Sequence, residues 1–373
     1  MAPRRTRSTV QIQTRREFLE RSMGAVASAG LAACLPPRRD SRGDGGVSPP
    51  QDGNIPPKDA NVDSPQDAGS SKQDGGEPSG PQPVTAYGPI TPNEYFYITS
   101  CCSNPKVDAS TWALSIKNRG VEIASIDYAT LTRLPAREKE HTLECIAAGP
   151  GFLAISNAIW TGLPLPEVFH AAHVQVSPGT IEMVFRSVDD YSTSIPAADL
   201  LKPVWLVWLM NGVALPTEHG YPVRLLVPGR YGMKNPKWIT SIDFVDQPFT
   251  GYWDQMGWSK EAVYQTNALV PIPLDDVPAG EIVFNGTAFA GSDPIVSVEV
   301  SVDGGEWRPA TRDYSPGPDI WTLWHYDMVL EPGAHTLQVR CTTLSGSQSD
   351  PSSDDSNYYD GYGGSELVTF NVT

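Results

Sequence analysis

Beyond about Pro271 the chain falls into short runs of partly alternating apolar and polar residues separated by turns. The pattern predicts strands over Glu281 to Ala288, Ile295 to Val302, Trp321 to Leu330, His335 to Thr343 and Glu366 to Val372. Ile295, Val296, Val298 and Val300 lead into Asp303-Gly304-Gly305, a turn suited to a hairpin, and Pro332-Gly333 separates the next two runs in the same manner. Such a series predicts a β-sandwich of immunoglobulin type for residues 271–373, with its boundary in the stretch Pro271 to Gly280. A Cys pair at antibody spacing is missing from it, so strands and turns alone carry the assignment.

Residues 87–270 mix periods. Tyr128 to Leu134 and Leu165 to Ala172 read as short helices, whereas Val204 to Asn211 is an apolar run ending in the turn Asn211-Gly212. The class is α+β rather than alternating α/β. Neither a GxGxxG after a strand nor a Walker-type GxxxxGK occurs, so dinucleotide and P-loop readings have no support.

The patterning is lost toward the N-terminus. Residues 34–86 hold no aromatic side chain and are dominated by Pro, Gly, Asp, Ser and Gln, so they cannot bury enough apolar surface to offset chain entropy and read as a disordered tether. Residues 1–33 carry six Arg against Glu17 and Glu20, then a weakly apolar stretch from Met23 to Ala33, the layout of an export signal. Thr14-Arg15-Arg16-Glu17-Phe18-Leu19 resembles a twin-arginine signal. Leu31-Ala32-Ala33-Cys34 resembles a bacterial lipobox with Cys34 as the lipidated first residue. Together they predict a periplasmic or cell-envelope lipoprotein held to a membrane by acyl chains. Because twin-arginine export moves folded proteins, often around an inserted cofactor, the signal hints at one here.

Composition narrows the partners. With 33 Gly and 35 Pro in 373 residues a helical bundle is disfavoured, and a net charge of −16 argues against a nucleic-acid binder. Against that acidic background, His219 to Trp238 carries four basic residues and no acidic one. Its glycines permit close backbone approach and its Arg residues offer bidentate contacts, as an anion-binding loop for a phosphorylated ligand requires. Cys145, taken alone, reads as a buried small hydrophobe. Adjacent Cys101 and Cys102 are not expected to bond to each other, and either could pair with Cys341. His170 and His173, three apart, read as a polar helix face because no third metal ligand is near.

Taken in order, these pieces resemble the sulfite oxidase family of molybdenum enzymes from about Asn93 to the C-terminus. They are Phe96-Tyr97, Val107-Asp108, Trp112, Thr142-Leu143-Glu144-Cys145, Ser156-Asn157-Ala158, Trp160-Thr161-Gly162, Ser194-Ile195-Pro196, Met210-Asn211-Gly212, Leu215-Pro216, the His219 to Trp238 block and Trp321-Thr322-Leu323-Trp324. The resemblance implies a molybdenum-molybdopterin cofactor, with Cys145 as thiolate ligand to the metal, a soft donor suited to a redox ion. It implies that His219 and Arg224 hold the pterin phosphate, that Asn235, Pro236 and Lys237 form a loop against the pterin, and that Tyr97 and Ile98 form a contact strand. Lys234 stands where animal sulfite oxidases carry Arg.

Departures from the family pattern concern the substrate. Where sulfite oxidases carry Arg, this chain has Thr99, Pro150 and Thr322; a His is replaced by Cys101, and a Tyr by Trp258. With hydrogen bonds to charged groups worth roughly 1.5 to 3 kcal/mol each, those losses disfavour a dianion. Thr99, Cys101, Trp258 and Thr322 are expected to line a pocket for a less charged small molecule, a sulfoxide or another organic oxide. Sulfite oxidation, with Arg230 or Lys234 supplying charge, and a non-catalytic lipid-anchored binding module are the competing readings. Electrons would pass to or from a separate carrier, a cytochrome or a quinone-linked partner, since no Cys-x-x-Cys-His haem site is present. The resemblance also implies that a homodimer can form through the C-terminal domain, as it often does in family members, although no segment here demands one.

Overall fold

The computed structural model describes residues 88–149, 152–201, 203–271, 277–349, 359–365 and 367–373. The signal, Cys34, the tether and Pro150 lie outside them.

Nearly all regular structure is strand. In chain order the strands are β1 (Ala113–Asn118), β2 (Val121–Asp127), β3 (Arg137–Glu144), β4 (Ile155–Pro164), β5 (Glu182–Ser187), β6 (Ser192–Pro196), β7 (Trp205–Met210), β8 (Val213–Ala214), β9 (Arg224–Leu226) and β10 (Ile239–Val245). They continue as β11 (Asn267–Leu269), β12 (Gly280–Phe289), β13 (Ile295–Val302), β14 (Arg308–Pro309), β15 (Thr311–Tyr314), β16 (Thr322–Leu330), β17 (Gly333–Thr343) and β18 (Leu367–Val372). Helices over Tyr128–Leu131 and Leu165–Ala171 fall where the sequence places them. His170 is exposed on the second, and His173 follows it at a φ of 55°.

The first ten strands form two sheets, ordered β2-β1-β10-β5-β6 and β3-β4-β7-β8, with β9 added to β7. The apolar run Trp205–Met210 is β7, covered on both faces, which explains its lack of alternation. One face meets Leu114, Phe185 and Phe244 of the other sheet, and the opposite face packs with Phe96, Leu143 and Trp160.

The remaining strands make a sandwich of sheets β11-β12-β16-β15 and β14-β13-β17-β18. In β18, Val368, Phe370 and Val372 point inward while the residues between them face out, the alternation expected of a strand with one wet face. Two corrections apply to the sequence expectations. Pro332-Gly333 does not close a hairpin, because β16 and β17 lie in different sheets and pair with β12 and β13 respectively. Alternation marks which side of a strand is buried but carries no information on its neighbour. The sandwich also begins earlier than Pro271, since β11 pairs with β12 through Asn267–Phe289 and Leu269–Thr287.

The two sandwich sheets enclose Phe284, Val300, Trp324 and Val339. A separate apolar cluster of Ile146, Ile155, Tyr231, Met233, Trp258, Tyr264, Phe289 and Trp321 joins the sandwich to the first ten strands. Polar ties cross at the same place. Thr142 N donates to Asp319 O at 2.9 Å, Trp321 N donates to Thr142 Oγ1 at 2.9 Å, and Asn267 Nδ2 donates to Glu144 Oε1 at 3.0 Å. Strand β3 is therefore held at its C-terminal end by both halves of the molecule.

Candidate active site

Cys145 is the residue immediately after β3. Its N–H donates to Ala154 O and its carbonyl accepts from Ala148 N, both at 2.9 Å, so the strand ends in a tight bend. The thiol, outside any disulfide and half-buried, faces a cleft of about 870 Å³ that is open to solvent. That size suits a bound organic cofactor or ligand.

The His219 to Trp238 block forms one side of this cleft. A single 3-10 turn over Thr217–His219 is followed by Gly220 at a φ of 109° and by β9, which begins with Arg224. A Cβ on Gly220 would stand 3.0 Å from Lys237 Cβ and 3.1 Å from Arg224 Cβ, so glycine is what allows these cations to close around one spot. The Arg224 guanidinium donates to His219 O and Asn235 O and stacks over Trp160, while its Nε is buried without a hydrogen-bond partner. Burial pulls its pKa down to about 10. Lys237 donates to Ser100 Oγ at 2.7 Å and Glu218 O at 2.9 Å; burial and then Arg224 pull its pKa down to about 7. Burial, followed by Arg224, likewise lowers His219 to about 4, leaving it neutral with Nε2 3.1 Å from Asn93 O.

These residues fit the implied cofactor. The Cys145 thiol lines the same cleft as the Arg224 and Lys237 cations, and an anionic phosphate there would restore the solvation that burial removed from them. Tyr97 lines the same cavity, and burial holds its phenol well above the usual range, hence protonated.

Several expected residues stand elsewhere or act differently. Ile98 is 51% exposed and outside the cleft lining. Pro236 lines it. Asn235 does too, but its side chain is spent on the protein: Oδ1 accepts from Val227 N, and Nδ2 donates to Arg230 O and Tyr231 O. Thr99, Cys101 and Trp258 line the cleft, whereas Thr322 does not. It is buried at the start of β16 with its hydroxyl against Ser315 Oγ, a local contact that a short side chain makes and a long one would overreach. Cys101 and Cys102 form a disulfide with each other, contrary to expectation. Cys341 lies in the sandwich core, bonded to Asn267 O, with burial raising its pKa to about 12. Arg230 pairs with Asp199 and Glu261, and Lys234 with Asp254; neither lines the cleft, so neither supplies charge to a substrate there.

Other lining residues carried no sequence signal. Asp189 sits in the β5–β6 turn, where acidic residues are routine, and Trp253 and Met233 look like ordinary core residues until the fold brings them to the cleft that Cys145 also lines.

Residues 102–253 match the family described as "Oxidoreductase molybdopterin binding domain". Sulfite oxidase of Gallus gallus is 28% identical over 308 residues, covering 69% of this chain and 67% of that protein. The mitochondrial sulfite oxidase of Homo sapiens is 27% identical over 304 residues, covering 68% of this chain and 56% of that protein. The chain thus spans between half and two thirds of the length of these curated relatives. Among solved structures, the sulfane dehydrogenase SoxCD from Paracoccus pantotrophus shares the fold, with a TM-score of 0.65 at 22% identity over 77% of this chain and 84% of that one.

Proposed function

Because the chain belongs to the sulfite oxidase family of molybdopterin-dependent oxidoreductases, we propose that it carries out two-electron oxo transfer on a small organic oxide, such as a sulfoxide, and exchanges electrons with a separate carrier. One observation supports this choice of substrate over sulfite. Among the described residues lining the cleft the Arg and Lys side chains are Arg224 and Lys237, which meet against Gly220, while the lining nearest Cys145 in sequence is Leu143, Ile146 and Ala147. An inorganic dianion would be desolvated against that wall without a counter-ion.

Molybdenum-molybdopterin, when bound, supplies the two-electron couple. The chain's own residues do the rest. Cys145 offers a soft thiolate to the metal, and His219, Arg224 and Lys237 receive the phosphate. Tyr97, held protonated, remains a hydrogen-bond donor inside the cleft. Leu143, Ile146, Met233 and Trp258 give the cleft an apolar lining, which strengthens the polar contacts made beside it.

Metal and pterin analysis tests this on protein made in a host that synthesises the pterin. Wild type is expected to carry stoichiometric molybdenum and to turn over an organic oxide against a dye, and Cys145→Ala to lose the activity. A metal-free wild type of unchanged stability refutes the enzyme and favours a non-catalytic module. Sulfite-dependent dye reduction faster than any organic oxide reaction revives sulfite oxidation. We further propose export by the twin-arginine route and lipidation at Cys34, checked by mass spectrometry of the mature N-terminus.

A further inference from the structure

Trp253, which no sequence pattern singled out, lines the cleft together with Met233 and Trp258. Its ring meets Tyr252 edge-on at 5.1 Å and Trp258 at 6.4 Å and 81°, and Trp258 in turn meets Tyr359 at 5.4 Å. Edge-to-face geometry of this kind fixes ring orientation as well as position. The backbone is closed tightly here, with Met256 N donating to Trp253 O at 2.9 Å and Trp258 N to the same oxygen at 3.3 Å.

The next residue anchors this wall. Asp254 accepts from Lys234 Nζ at 3.1 Å and from Gly251 N at 3.0 Å, and the side chains of Lys234 and Asp254 are only 1% and 4% exposed. Lys234 immediately follows Met233 and precedes Asn235, so a buried ion pair ties the loop bearing Trp253 to the segment that faces the cofactor. Removing one partner of such a pair strands a buried charge, which makes the geometry costly to loosen.

We propose that Trp253 and Trp258, held by the Lys234–Asp254 pair, are the specificity wall of the cleft, and that they select a dipolar organic oxide bearing alkyl or aryl groups on its oxygen-carrying atom. The inference rests on the oxo-transfer reading above. Aromatic faces and the Met233 thioether receive methyl or aryl groups well, and the positive end of an S–O or N–O dipole lies favourably against an aromatic face. They carry no cation to balance the charge of an oxyanion. In the reductive direction the S–O or N–O bond breaks, the heteroatom gains two electrons from the reduced carrier, and the oxygen leaves as water with two protons.

The test uses molybdenum-loaded full-length chain with a reduced viologen dye as donor, and methyl phenyl sulfoxide, trimethylamine N-oxide and, with an oxidised dye, sulfite as substrates. Binding of the unreactive methyl phenyl sulfone is followed separately by tryptophan fluorescence. Trp253→Ala is expected to raise KM for the organic oxides and Kd for the sulfone by about tenfold or more, with kcat within about threefold and molybdenum content unchanged. Trp253→Phe should recover most of the loss, which a merely structural role would not require. Unchanged KM and sulfone Kd in Trp253→Ala overturn the proposal, as does a loaded wild type whose kcat/KM is highest for sulfite. A chain that takes up no molybdenum overturns the reading beneath it, so metal content separates the two failures.

Discussion

His141 and His219 show how much a single side chain can be changed by where it ends up. Both are buried, and burial is the first cause that lowers their pKa values; His219 falls from 6.5 to about 4, and His141 also lies well below its ordinary value. Both ring nitrogens of His141 lack a hydrogen-bond partner. The folded state therefore holds fewer protons on them than the unfolded chain does in this window. Their contribution to stability is complete above about pH 6.5 and is lost as pH falls toward 4, at roughly 1.4 kcal/mol per pKa unit for each group. Urea denaturation of cofactor-free protein should show stability dropping between pH 7 and pH 5, and His141→Gln should flatten that drop. Nothing in the local sequence around His141 reveals this, because the groups that bury it come from distant strands.

Between the residue and the whole molecule, the element that matters most is the loop from Gly220 to Lys237. It was legible in outline, since a basic stretch with glycines in an acidic chain is a local property. What was not legible is the division of labour within it. Asn235 braces the loop by three hydrogen bonds to Val227, Arg230 and Tyr231. Asn235→Ala is expected to cost about 2 to 4 kcal/mol in thermal or urea denaturation, because it leaves buried backbone groups unpaired. Gly220→Ala adds a Cβ against Lys237 and Arg224 at a positive φ. It should therefore reduce molybdenum content, measured by elemental analysis, more than its cost of about 1 to 2 kcal/mol alone explains. The strands of the sandwich were equally legible, Ile295–Val302 to the residue, because alternation is recorded within each strand. Their partners were not, as the separation of β16 from β17 shows.

At the scale of the molecule, the cluster around Tyr231, Trp258, Tyr264, Phe289 and Trp321 makes the two halves interdependent. Ending the chain before Asn267 would uncover Ile146 and Ile155 beside Cys145 and remove the partner of buried Glu144, whose pKa burial raises to about 8. Each buried aromatic or aliphatic side chain uncovered costs roughly 1.5 to 3 kcal/mol. Such a fragment is expected to show no cooperative thermal transition and no near-ultraviolet circular dichroism of fixed aromatic rings.

By itself the sequence determined what depends on neighbouring residues: the sandwich strands, two short helices, the acidic background and the basic, glycine-bearing stretch from His219 to Trp238. Tertiary structure alone decided what depends on residues far apart. It buried Lys234 against Asp254, withdrew Arg230 and Thr322 from the cleft, and carried Trp253 into it beside Met233 and Trp258. The reason is physical. Local pattern sets a side chain's chemistry and its strand face, but its charge, exposure and partners are set by long-range packing, and packing is what distinguishes a cation available to a substrate from one already neutralised in the core.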